Sequence, residues 1–213
     1  LGIVTGRALD DLRPRLAFAP DYLVGNHGLE AVPELSHRYD PGPGPAATPV
    51  AASDTGLPAL VARWKAQLAP AFALLDPGIV IEDKHYSLSL HYLQARDHPQ
   101  AMAGLSELFT QLQPAPRIIP GKCIFSLLPA GRGDKGEAVR QLLRFTQRDD
   151  ALYVGDDVTD EDVFRLPDPG IFSVRVGRSD TSAARWHIDD HRAIGTLLDL
   201  LLHCVPPRAP VTP

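Results

Sequence analysis

The chain has 213 residues, enough for one large domain or a core carrying a smaller insertion. Hydrophobic residues make up 44% of it and the formal net charge is −5 without a long run of like charges, which argues against the basic stripe of a nucleic-acid surface. Cys123 and Cys204 have no CxxC-like companions, no run of about 18 apolar residues exists to span a membrane, and no signal peptide is legible, so the expected setting is the cytoplasm.

Leu1 to Val4 reads as a buried strand already in progress, ending in a turn at Thr5-Gly6-Arg7. Leu9 to Leu16 fits a helix interrupted by Pro14. Tyr22 to Gly25 is a second strand, with Asn26-His27-Gly28 as its turn. The alternation of strand, helix and strand is that of a parallel sheet. The proline-rich stretch from Pro41 to Pro49 suits neither a helix nor a central strand and is expected to be a surface loop at a domain boundary. Leu57 to Leu75 has helical periodicity, and Trp64 shares its apolar face with Leu57, Leu60 and Leu68. Residues 79–84 and 86–92 read as two strands. The second places Ser87, Ser89 and His91 on one face and Leu88, Leu90 and Tyr92 on the other. Ala101 to Leu112 predicts a helix and Arg117 to Leu127 one or two strands. After Pro129 the strand–helix alternation returns: a helix from Lys135 to Gln147, a strand from Ala151 to Val154, a short helix from Asp160 to Leu166, a strand from Ile171 to Val176 and a helix from Ala193 to Cys204. The expected architecture is α/β, a doubly wound parallel-sheet core (residues 1–44 and 130–205) with an inserted α+β cap (45–129) and a flexible tail (206–213).

Chemistry concentrates at three strand or helix ends. The run Tyr153-Val154-Gly155-Asp156-Asp157-Val158-Thr159-Asp160-Glu161 delivers several carboxylates to the carboxyl end of a strand, where open α/β sheets bind ligands. Such like charges suit a hard cation, Mg²⁺ by ligand type, or else form an acidic turn capping the next helix. Lys135 opens a helix beside Gly133 and Gly136, a place to meet an anion or simply a solvated lysine. Thr5 sits on a tight turn at a strand end, suited to a phosphate oxygen or to closing the turn itself.

In order and spacing, the three elements resemble the second, third and fourth motifs of the haloacid-dehalogenase phosphatases, and most nearly the trehalose-6-phosphate phosphatase branch. The likeness extends through Asn26-His27-Gly28, Lys84, His91-Tyr92, Gly121-Lys122 and Val176-Gly177, with Thr181 and Ala183 shortly after. The resemblance implies an Mg²⁺-dependent phosphoric monoester hydrolase that forms a phosphoaspartyl intermediate. It makes Thr5 a phosphoryl-oxygen ligand, Lys135 the charge-stabilising lysine and Asp156 the direct metal ligand. Asp157 and Asp160 would support the metal or its waters, or position Lys135. Arg7, Asn26, His27, Lys84, His91 and Ser126 fall where the resembled enzymes bind substrate, here a small phosphorylated sugar. No nucleic acid or membrane partner is expected.

Two departures qualify the likeness. The D-x-D-G-T-L segment that carries the family's nucleophile and general acid is expected upstream of Leu1. In the cap, Ser126-Leu127-Leu128-Pro129 stands where the family has E-x-R/K-P, and Leu93 follows His91-Tyr92 where the family has arginine. Those charged groups bind sugar hydroxyls in the resembled enzymes, so a smaller or less hydroxylated substrate is expected, with Leu128 as an apolar contact. The competing readings are a non-catalytic domain that binds a sugar phosphate or a protein, and a phosphatase or phosphomutase acting on another sugar phosphate.

Overall fold

The computed structural model describes residues 1–32, 56–72 and 74–204, and divides into two compact units, Leu1–Arg148 and Asp149–Pro213. The proline-rich stretch at 41–49, the expected boundary near residue 45 and the tail at 206–213 lie outside the described residues. The expected boundary near residue 129 falls inside the first unit.

In the first unit, β1 (Gly2–Val4) runs parallel to β2 (Tyr22–Gly25) with Gly2 opposite Tyr22, and β3 (Glu30–Val32) returns antiparallel to β2. The connection from β1 to β2 contains α1 (Leu9–Leu12), which tightens into a 3₁₀ turn at Arg13–Arg15. Pro14 lies in that turn; its ring fixes φ and offers no N–H to continue the α-helix. Leu9, Leu12 and Leu23 bury together and tie α1 to β2.

The unit's other sheet is antiparallel. Its strands β4 (Val80–Asp83), β5 (Leu88–His91), β6 (Arg117–Gly121) and β7 (Ile124–Leu128) lie in the order β4-β5-β7-β6. Two helices, α2 (Leu57–Phe72) and α3 (His98–Phe109), share a core with one face of it, joining Trp64, Leu68 and Leu105 to Leu88, Leu90 and Leu127. The alternation along β5 thus puts Leu88 and Leu90 inside, as their period of two predicts. Trp64 is fully buried and its indole N–H donates to the Pro114 carbonyl at 2.7 Å, so it belongs to the core. Helix α3 starts three residues before the expected Ala101, because Asp97 caps it by accepting the Gln100 N–H at 2.9 Å and Pro99 sits in its first turn. Helix α4 (Lys135–Thr146) is capped the same way, Asp134 accepting the Glu137 N–H at 3.0 Å.

In the second unit, β8 (Ala151–Gly155), β9 (Ile171–Val176) and β10 (Trp186–Ile188) form a wholly parallel sheet in that order. A 3₁₀ turn at Val158–Asp160 and α5 (Glu161–Phe164) connect β8 to β9, and α6 (Ala193–Cys204) follows the sheet. Val163, Phe164, Ile171 and Val174 are buried. The expectation of an α/β protein holds as a mixed α/β fold with parallel and antiparallel sheets. No helix among the described residues is long and apolar enough to cross a membrane.

Candidate functional site

Just past β1, the Thr5 N–H donates to the Val24 carbonyl at 2.8 Å, and the Thr5 Oγ1 accepts the Arg7 N–H at 3.2 Å. The hydroxyl therefore closes the turn and stays at the strand's end. Two further bonds zip this turn to the one after β2: the His27 N–H donates to the Thr5 carbonyl at 2.9 Å and the Asn26 N–H to the Arg7 carbonyl at 2.8 Å. Only glycine fits at position 6, where a Cβ would sit 2.4 Å from the His27 ring.

The second turn is conformationally expensive. Asn26 (φ 50°), His27 (φ 57°) and Gly28 (φ 105°) all occupy the left-handed region. Hydrogen bonds hold it there. The buried Asn26 amide donates to Glu30 Oε2 at 2.9 Å and to the Lys84 carbonyl at 3.1 Å, and its oxygen accepts the Ser87 hydroxyl at 2.8 Å. A Cβ on Gly28 would lie 3.0 Å from the Asp134 carbonyl, so the turn packs directly on the start of α4, where Lys135 is buried.

From the antiparallel sheet, the Lys84 ammonium donates to the Gly6 carbonyl at 3.2 Å and lies 3.7 Å from Glu82 Oε2. Burial pushes the Lys84 pKa below the usual lysine value, against the opposing pull of Glu82. The same Glu82 oxygen meets His91 Nε2 at 2.8 Å, and Ser89 faces Ser126 with their hydroxyls 3.3 Å apart. Thr5, Asn26, His27, Lys84 and Lys135 are thus drawn to one corner of the unit, and Glu82 links His91 to it. The Arg7 guanidinium instead pairs with Asp11 at 2.8 Å. Leu128 corrects an expectation: it is fully buried with Leu29 and Leu57, and so presents no apolar surface to a substrate.

In the second unit the three aspartates differ in kind. Asp160 is buried; its Oδ1 accepts the Tyr153 hydroxyl at 2.7 Å and its Oδ2 the Asp157 N–H at 2.8 Å. Asp157 in turn accepts the Val158 N–H at 2.7 Å. Burial, reinforced by the Asp160 carboxylate, raises the Tyr153 phenol well above its ordinary pKa, so it stays a donor. Asp156 is exposed at the end of β8, and its carboxylate has no hydrogen-bond partner among the described residues. Among the described residues no group of three or more His, Cys, Asp or Glu side chains is arranged to hold a metal ion. One outward carboxylate still fits Mg²⁺, which keeps several waters and binds through one or two carboxylates plus phosphate oxygens.

Gly155 makes this turn possible, because a Cβ there would come within 2.3 Å of Asp160 Cγ. Gly155→Ala is expected to destabilise the protein by about 1–3 kcal/mol through overpacking, read as a lower urea midpoint at unchanged slope. An unchanged midpoint would mean that Asp160 is not held where described.

Glu30 and Glu82 help to build these sites although no motif marks them, and Tyr153, which opens the acidic run, is given no role of its own by the sequence. Of the two glutamates, Glu82 alone left a signal, since it lies two positions before Lys84 on a strand. A family model described as trehalose-phosphatase matches residues 2–191. The trehalose-phosphate phosphatase of Mycobacterium tuberculosis (strain ATCC 25618 / H37Rv) is 27% identical over 212 residues, covering 94% of this chain and 51% of that protein. The trehalose-6-phosphate phosphatase of Escherichia coli (strain K12) is 34% identical over 116 residues, covering 53% of this chain and 42% of that protein. The chain thus spans about half the length of the curated relatives it matches. Among solved structures, a trehalose-6-phosphate phosphatase related protein superposes with a TM-score of 0.69 at 20% identity, covering 95% of this chain and 80% of that one. The sucrose-phosphatase of Synechocystis sp. PCC6803, solved with sucrose and phosphate, does so with 0.57 at 19%, covering 95% and 83%. At these identities the structural likeness is one of fold.

Proposed function

The chain belongs to the trehalose-phosphatase family, and from that membership we propose that it carries the phosphate- and metal-handling residues of an Mg²⁺-dependent sugar-phosphate phosphatase. In this reading the protein has a doubly wound core with an inserted cap, and works on a small phosphorylated sugar in the cytoplasm. The observation that carries it is the outward Asp156 carboxylate at the end of β8, set on a turn that Asp157 and Asp160 brace.

Asp156 would hold the ion, whose charge neutralises the oxygens of the transferred phosphoryl group. Thr5 would offer its hydroxyl to a phosphoryl oxygen, and Lys135 would balance the charge that grows there in the transition state. Asp160, with both oxygens accepting protein hydrogen bonds, acts by positioning, as does Asp157. Asn26 and His27 shape the wall beside Thr5, while Lys84, His91 and Ser126 face the sugar, with Arg7 at the margin. In-line attack and protonation of the leaving sugar oxygen need a carboxylate pair that these residues do not include. In this reading a D-x-D segment upstream of Leu1 supplies it.

Trehalose 6-phosphate is the family's prototype substrate, yet Ser126, whose hydroxyl meets that of Ser89, and Leu128 stand where the resembled enzymes have charge. Each charge-assisted bond lost in that exchange weakens sugar binding by about 1.5–3 kcal/mol. The test is phosphate release by the full-length protein from a panel of phosphorylated mono- and disaccharides, with Mg²⁺ and with chelator. Chelator-sensitive hydrolysis is expected, with trehalose 6-phosphate not the best substrate by as much as about tenfold in kcat/KM. No release from any sugar phosphate would favour the non-catalytic binding domain. A tenfold preference for trehalose 6-phosphate would mean that Lys84 and His91 supply the missing contacts.

A further inference from the structure

The acidic turn is framed by a residue that no motif marks. Arg175 stands on β9 directly opposite Gly155 of β8. Its guanidinium reaches across the strand's end with two separate nitrogens: Nη2 donates to the Asp156 backbone carbonyl at 3.1 Å, and Nη1 to Glu161 Oε1 at 3.3 Å. The other Glu161 oxygen accepts the Ala183 N–H at 2.9 Å. Both side chains are largely enclosed, 17% and 10% exposed for Arg175 and Glu161.

One planar fork therefore spans the turn from its first residue to the start of α5. Glu161, which also lies 3.6 Å from Arg165 Nη2, is its counter-charge, and the bond to Asp156 is made at the backbone, so what the fork supplies to Asp156 is fixed geometry. Among the described residues the buried Arg175 Nε has no hydrogen-bond partner, so the side chain's bonds are made by its terminal nitrogens. We propose that Arg175, with Glu161 as its counter-charge, is a positioning residue that aims Asp156 at the metal. The proposal rests on the reading of Asp156 as the ion's ligand. Groups in such a supporting shell alter metal affinity about 10–100-fold when removed.

The experiment measures Mn²⁺ affinity of the full-length protein from the electron paramagnetic resonance signal of free Mn²⁺, with thermal unfolding alongside. Four forms are compared: the parent, Asp156→Asn, Arg175→Lys, and the double variant Arg175→Met/Glu161→Gln. Lysine keeps the charge but replaces the rigid two-nitrogen fork by a single nitrogen on a flexible stem. The double variant leaves no buried charge without its partner and so keeps the fold testable. Both Arg175 forms are expected to raise the Mn²⁺ Kd about tenfold with unfolding near that of the parent, and Asp156→Asn to raise it at least as much. If Asp156→Asn loses Mn²⁺ while both Arg175 forms stay within about twofold of the parent, the positioning role is wrong and the Asp156 assignment stands. If Asp156→Asn binds Mn²⁺ like the parent, the metal assignment itself fails, and the role of Arg175 with it.

Discussion

Asn in place of Asp156 is expected to lower kcat of the full-length enzyme by about a thousandfold or more, even at saturating Mg²⁺. A metal's charge on a transferring phosphoryl group contributes several kcal/mol, and each 1.36 kcal/mol is roughly tenfold in rate. Asparagine keeps the size and one oxygen of the side chain but removes the charge that, in the proposed function, would hold the ion. The fold should not notice. Asp156 is exposed and its carboxylate bonds to no described residue, so circular dichroism and the thermal midpoint should match the parent. Asp160→Asn offers the contrast, because Asp160 is buried and joins Tyr153 to the Asp157 backbone. Near-normal turnover by Asp156→Asn at high Mg²⁺ would remove Asp156 from the metal site.

Lys135→Ala is expected to cost about 100- to 1000-fold in kcat, the range found when one preorganised donor to a developing oxyanion is removed, with KM changing far less. The structural ground is burial. Lys135 is 4% exposed at the first position of α4, beside the turn that carries His27 and Gly28. In the proposed role, a lysine buried there is in place before substrate arrives and would act on the transition state with little reorganisation. If KM rose and kcat stayed, Lys135 would bind ground-state phosphate and contribute nothing specific to the chemistry.

The residues proposed for these roles stand out in the sequence because their signals are local. A strand followed by Thr5-Gly6-Arg7, or by Gly155-Asp156-Asp157, places polar groups at a strand's carboxyl end by chain geometry alone. The alternation that buries Leu88 and Leu90 and the spacing that buries Trp64 are equally local. What escaped is long-range or short. Strands β3 and β10 have three residues each, too few for an alternation to register. Leu128 stands next to Pro129, and nothing nearby says that Leu29 and Leu57 will cover it. Arg175 sits in an apolar strand, and its importance emerges only once β8 is laid beside it.

The Asn26 corner bears on how the protein comes to be folded. Its bonds to Ser87 and to the Lys84 carbonyl join residues 61 and 58 positions apart. Contacts between such distant segments form only after the loop between them has paid its closure entropy, whereas α4 or the β6–β7 pair needs only its neighbours. This corner is therefore expected to close late on the way to the native state. Weakening it would leave the folding rate nearly unchanged and speed unfolding, as interactions absent from the transition state do. Under the proposed function, a sugar phosphate bound at this corner would slow that unfolding and lengthen the lifetime of the folded protein.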